Sequence, residues 1–198
     1  MYDVFLNSTT IKQNYIDKWC LDINIEKDDI SYIFINKLPF IVTKDPKLCW
    51  FQYRLLHRIL PTNVLLFKMK IKDTTSCAFC NTEEETLLHL FFHCNIVNKF
   101  WGDLLSWIEL NANTTVQFEK ETIIFGKKFR KCGNCLNLIL LLAKQFIFTQ
   151  KIRNRPLDVD AFTVLLKNYF TIEKYIFAKN NKLVKFYKRW EILKHKFE

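Results

Sequence analysis

Cys77-Ala-Phe-Cys80-Asn-Thr-Glu-Glu-Glu-Thr-Leu-Leu-His89-Leu-Phe-Phe-His93-Cys94 gathers three of the chain's seven cysteines and two of its four histidines into one short stretch. Two thiolates two residues apart grip one ion from a tight turn, and a histidine and a third cysteine further on close a tetrahedral site. The spacing, C-x2-C-x8-H-x4-C, is thiol-rich and offers four ligands. It suits a structural zinc ion with no coordination position left open for catalysis. The candidate ligands are Cys77, Cys80, His89 and Cys94, with His93 as a rival third ligand. On an α-helix through this stretch Cys94 sits about 140° round from His89. The last turn must therefore loosen before the two share an ion. His93 and Cys94 are sequence neighbours pointing in different directions, a harder arrangement, so the geometry favours His89. His93 then reads as a solvated or capping side chain. Plain buried thiols beside a core histidine, or a Cys77–Cys80 disulfide, are the competing readings. Met1-Tyr-Asp-Val-Phe-Leu-Asn resembles no secretion signal, so the expectation is an intracellular protein, nuclear or cytoplasmic, in which paired cysteines point to metal.

Working outward, the chain has 198 residues, 49% apolar and 16% aromatic, enough to bury a core in one domain or two small ones. Three glycines and four prolines exclude a turn-rich β architecture. The expected fold is mainly α, a helical domain carrying a small zinc-knuckle-like insert. The net charge of +10 is uneven. Residues 77–126 hold 2 cations against 7 carboxylates, and residues 127–198 hold 17 against 5. The division expected is a helical region over 1–126 containing the metal stretch, and a basic helical region over 127–198 packed on it. A basic C-terminal third points to a polyanion, with nucleic acid first and an anionic membrane surface second. The candidate contacts are Lys127, Lys128, Arg130, Lys131, Lys151, Arg153, Arg155, Lys182, Lys185, Lys188 and Arg189. The apolar run Leu136–Ala143 ends at Lys144-Gln145, short of the roughly 20 residues of a membrane span. No membrane partner is expected.

Helices are expected over 10–25, from Asp28-Asp29 to a stop at Pro39, over 47–60 with a stop at Pro61, and over 63–69 behind a Thr62 cap. In the third, Trp50, Tyr53, Leu56 and Leu60 recur at helical spacing and read as core; His57 reads as a polar surface or satisfied core residue. Further helices are expected over 96–110, 134–154, from Asp158 to about 179, and from about 182 to 196, with Leu183, Phe186, Trp190 and Leu193 as the last apolar stripe. Residues 121–125 read as an extended segment or one helical turn, and Glu83-Glu84-Glu85 as the first turn of the metal-stretch helix. Cys132-Gly-Asn-Cys135 is a second C-x2-C with no second ligand pair, and reads as plain thiols near a helix start. Cys20 and Cys49 read as core. No glycine-rich phosphate loop, two-metal carboxylate pair or other catalytic constellation is present, so no catalytic residue is assigned.

The run Trp50-Phe-Gln-Tyr-Arg-Leu-Leu-His-Arg-Ile-Leu-Pro61-Thr62-Asn63, then Ser76-Cys77-x2-Cys80, Glu85-Thr86-x2-His89-Leu-Phe-x2-Cys94 and Phe100-Trp101 resembles the zinc-binding region that follows the polymerase domain in LINE-type (non-LTR) retrotransposon reverse transcriptases. Ile123–Gly126, Leu140–Ile147 and Ile172–Tyr175 extend the likeness over essentially the whole chain. The resemblance implies a helical C-terminal module whose zinc knuckle, on Cys77, Cys80, His89 and Cys94, serves the binding of template RNA or target DNA. It departs from the family in lacking the aromatic-x-Asp-Asp polymerase strand and the endonuclease. The reading is thus a non-catalytic nucleic-acid-binding module with structural zinc. A zinc-stabilised protein-interaction domain and a retroelement remnant without function are the alternatives.

Overall fold

A computed structural model describes residues 9–26, 31–112, 116–129 and 133–198. Asp28, Asp29, Arg130, Lys131 and Cys132 lie outside the described residues. The helices are α1 (Thr9–Ile23), α2 (Tyr32–Val42), α3 (Pro46–Leu56), α4 (Asn63–Lys68), α5 (Asn95–Ala112), α6 (Lys120–Phe125), α7 (Gly133–Ile152), α8 (Val159–Lys179), α9 (Leu183–Arg189) and α10 (Lys194–Phe197), with a π-turn at His89–His93 ahead of α5. The protein is mainly helical, and the described residues contain no strand. The backbone pairing outside helices is an antiparallel bridge between Ser76 and Glu84.

The apolar run of the sequence lies inside α7, around which the core is built. α7 buries Cys135, Leu136, Leu138–Ala143, Phe146, Ile147 and Phe148, and packs against α2, α3 and α8. At 20 residues it is long and apolar enough, by length and composition, to cross a bilayer, which the eight-residue run is not. In its most apolar window, however, 78% is buried inside the protein. Phe146, Phe100 and Phe162 close the junction of α7, α5 and α8, with ring centroids 5.5–5.9 Å apart. Each ring there removes a large apolar area from water and packs edge-on or offset, as the aromatic quadrupole prefers.

Several helix ends differ from the sequence expectation. Ser31 caps α2, its hydroxyl accepting from the Phe34 N–H, and the helix runs through Pro39 to Val42. The stop expected at Pro39 does not occur because the next turn buries Val42 and its Thr43 N–H closes on the Pro39 carbonyl. α3 ends at Leu56, not at Leu60. The Ile59 N–H returns to Arg54 O and the Arg58 N–H to Leu55 O, with Arg58 at φ 60°. This Schellman closure satisfies the last carbonyls and turns the chain before Pro61 is reached. The same closure ends α1 at Asn24, α4 at Lys70, α7 at Asn154 and α8 at Asn181, all with positive φ. Asparagine tolerates the left-handed region that glycine usually supplies, and this chain is asparagine-rich and glycine-poor. The expected final helix is broken at Trp190, which is fully buried and donates to Glu173 Oε2 at 2.7 Å. Its stripe is in the core at Phe186, Trp190 and Leu193, but Leu183 is exposed.

Candidate metal centre and basic cleft

The metal stretch is folded by its own backbone first. Cys77 N–H donates to Glu83 O (2.7 Å), Asn81 N–H to Cys77 O (3.0 Å), and Asn81 takes φ 57°, bending the chain tightly round the C-x2-C pair. The glutamates do not open a helix: Glu83 and Glu84 belong to this turn and its bridge. Helical winding starts beyond them, where Thr86 accepts from the His89 N–H through Oγ1. It widens at once into the π-turn, closed by the Cys94 N–H on His89 O at 2.9 Å. An i→i+5 bond brings Cys94 one turn above His89, in place of the 140° offset of an α-helix. A single inserted residue thus lets the two side chains converge.

Cys77 Sγ, Cys80 Sγ, a His89 ring nitrogen and Cys94 Sγ all lie within 4.8 Å of one another. Cys77 and Cys94 sulfurs are 3.9 Å apart, and Cys80 Sγ is 3.3 Å from His89 Nε2. A tetrahedral zinc with Zn–S bonds of about 2.3 Å has sulfur–sulfur edges of about 3.8 Å. The other ring nitrogen of His89, Nδ1, meets Glu83 Oε2 at 3.1 Å. That pairing directs Nε2 at the thiols, the carboxylate–histidine–metal relay found around zinc. His93 points away and is exposed, with Lys120 Nζ 3.5 Å from its ring. Burial pushes the Cys77 thiol up to about 12 and also raises Cys94. At Cys80 burial acts the same way, but hydrogen bonds from the Thr82 hydroxyl, the Thr82 and Glu83 amides and His89 outweigh it and bring the thiol down to about 6. Two buried thiols that resist ionisation alone need a cation before three thiolates can coexist, and this thiol-rich donor set suits zinc.

Glu85 fastens this turn to the rest of the fold. It is fully buried; Oε1 accepts from the Asn63 N–H (2.8 Å) and Lys151 Nζ (2.9 Å), and Oε2 from the Ala78 N–H (2.9 Å). Lys151 also reaches the Pro61 carbonyl. Asn63 completes the join through Nδ2 to Ser76 O (2.7 Å), while Thr62 caps α4 on the Leu65 N–H. The Leu-Pro-Thr-Asn string is therefore the seat of the metal turn. Lys151 is not an exposed phosphate contact as expected: it is 6% exposed and ion-paired. No local pattern signals this, because its partner stands in another part of the chain.

Five of the other basic candidates converge. Lys127, Lys128, Lys185, Lys188 and Arg189 line a cleft of about 460 Å³ between α2, the start of α7 and α9, together with Phe34, Phe129 and Asn137 and, among the described residues, without a lining carboxylate. Gly126 and Asn137 place its lysine loop. Gly126 has φ +76°, and a Cβ there would stand 2.2 Å from Leu38 Cδ2. Asn137 then brackets Lys127, accepting from its N–H and donating to its carbonyl. Arg189 is held in the wall by Glu173 (3.3 Å) and the Val42 carbonyl. Lys182 is exposed just before α9, outside the cleft lining. Arg153 and Arg155 are exposed beyond the far end of α7, about 28 Å from its start at about 1.5 Å per residue.

The model of the family described as zinc-binding in reverse transcriptase matches residues 10–101, a little under half of the chain, and the match includes all four clustered donors. No curated protein sequence matches the chain.

Proposed function

We propose that this chain is a non-catalytic module that binds nucleic acid through the basic cleft, with a structural zinc ion on Cys77, Cys80, His89 and Cys94. The cleft carries the proposal. It draws cations from the Lys127–Lys128 loop and from α9 onto one surface with no carboxylate lining it among the described residues, which suits a phosphate backbone. Zinc, when bound, supplies the charge that holds three thiolates together, and Glu85 and Lys151 carry that order into α4 and α7. The likeness to LINE-type reverse transcriptases supports the finer reading, a C-terminal segment that holds template RNA or target DNA for a polymerase domain elsewhere. A second reading, a zinc-stabilised protein-interaction domain, is favoured by the exposed Ile172, Tyr175 and Ile176 of α8. Affinity for a nucleic-acid duplex, measured between about 50 and 200 mM salt, tests the first reading. It expects a steep fall with salt and a shallower one in a Lys185→Glu, Lys188→Glu variant. A salt-indifferent curve, or an unchanged variant, favours the second.

A further inference from the structure

Four aromatic rings form a column that begins in the core and ends in water. Tyr15 of α1 is buried and donates to Asn36 Oδ1 at 2.8 Å. Its ring centroid lies 4.1 Å from that of His57, which lies 4.2 Å from Tyr53. Tyr53 stacks on Trp50 at 5.1 Å with the planes 9° apart. The two outer rings are 46% and 60% exposed, and Trp50 meets no further ring among the described residues. Of the expected core stripe, Leu56 and Leu60 are buried, but Trp50 and Tyr53 face outward: α3 packs Leu48, Phe51, Gln52 and Leu55 inward beside Leu56.

This face also has a sign. Lys47 and Arg54 stand three residues before and four after Trp50, one turn away on either side. α3 contains no carboxylate from Pro46 to Leu56, and the Asp45 side chain is engaged as its cap on the Lys47 N–H. Burial lowers His57 from its ordinary value, so the column carries no charge of its own at neutral pH. A flat apolar face between cations complements a ligand that is flat and apolar at one end and anionic at the other. An unpaired nucleotide has that chemistry. A duplex does not, because its base faces are already stacked.

We infer that the outer face of Trp50 is a stacking site for an unpaired base, with Lys47 and Arg54 taking the adjoining phosphates. The site rests on the nucleic-acid reading and extends it to single strands. The test compares the zinc-loaded full chain with Trp50→Ala, Trp50→Phe and Lys185→Glu, Lys188→Glu variants. The probes are an oligodeoxythymidylate of about 12 nucleotides and a duplex of matching length. Trp50→Ala is expected to weaken the single strand by about tenfold or more and the duplex by less than about twofold, with Trp50→Phe recovering most of the loss. Unchanged single-strand affinity, or equal loss on both probes, overturns the site; the former would assign the column to a protein contact. The lysine pair keeps the two proposals apart. If it changes neither probe while Trp50→Ala still selects against the single strand, the cleft falls and the stacking site stands. A wild-type chain that binds neither probe overturns both.

Discussion

At the metal corner the buried charges of Glu85 and Lys151 answer each other inside the protein, while around the cleft the lysines face water. Glu85 holds three donors and Lys151 holds two acceptors, both in the interior. Lys127, Lys128, Lys185 and Lys188 share a cleft wall without a carboxylate among the described residues. The same residue type thus does two jobs, and burial decides which. A buried lysine must either commit its charge to a partner in the fold, as Lys151 does, or give up its proton more readily, as Lys144 does. A solvated lysine keeps its charge for a partner. The two regions should fail differently.

The largest effect expected is at the corner. Cys77→Ser should reduce bound zinc from about one per chain to none and collapse the thermal transition, read by metal analysis beside a melting curve. Next comes the Glu85–Lys151 pair. Glu85→Ala alone, which strands a buried ammonium, should destabilise by about 3–5 kcal/mol in urea unfolding. A paired Glu85→Leu, Lys151→Met variant should recover much of that loss. Stability unaffected by Glu85→Ala would break the contrast.

A third test concerns Lys144, buried against Gln52 Oε1 (2.7 Å) and the Ile124 carbonyl (3.2 Å). Burial brings its ammonium down to about 7. The unfolded chain, with lysine near its ordinary value of about 10.4, binds the proton more strongly in between, so this group's contribution to stability rises with pH from about 7 upward. Wild type should therefore gain about 2 kcal/mol on Lys144→Met between pH 7 and 9. Parallel stability curves for the two proteins would contradict this. The smallest effect on the fold is expected from Lys185→Glu, Lys188→Glu, within about 0.5 kcal/mol of wild-type stability. The same pair should reduce the salt slope of nucleic-acid affinity by about one for each phosphate that the variant no longer neutralises.

The clustering of the four donor residues was legible because its information is local. The C-x2-C turn and the downstream His and Cys occupy one short stretch; what was missed there was the π-turn that aligns His89 with Cys94 and the turn and bridge that take Glu83 and Glu84 out of the helix. The helices α7 and α8 were legible for the same reason, from an apolar run, an Asp158 cap and Pro156 between them. What failed was half of the α3 stripe: Leu56 and Leu60 are buried as expected, but Trp50 and Tyr53 are not. Trp50 and Tyr53 share a helical face with perfect spacing, yet α7 packs against the face that carries Phe51 and Leu55. Both faces of that helix are apolar enough to serve, so periodicity alone could not choose between them.

By itself, then, the sequence determined the helical class, the zinc-type donor set and the basic bias of the last third, each a matter of residue type at short spacing. Only the tertiary structure decided which cations are free. It turned Lys151 inward to Glu85, tied Arg189 to Glu173, and brought the Lys127–Lys128 loop beside α9. Those outcomes depend on which distant helices share the core with α7, and desolvation, which makes a charge structural or available, follows from that packing and not from sequence neighbours.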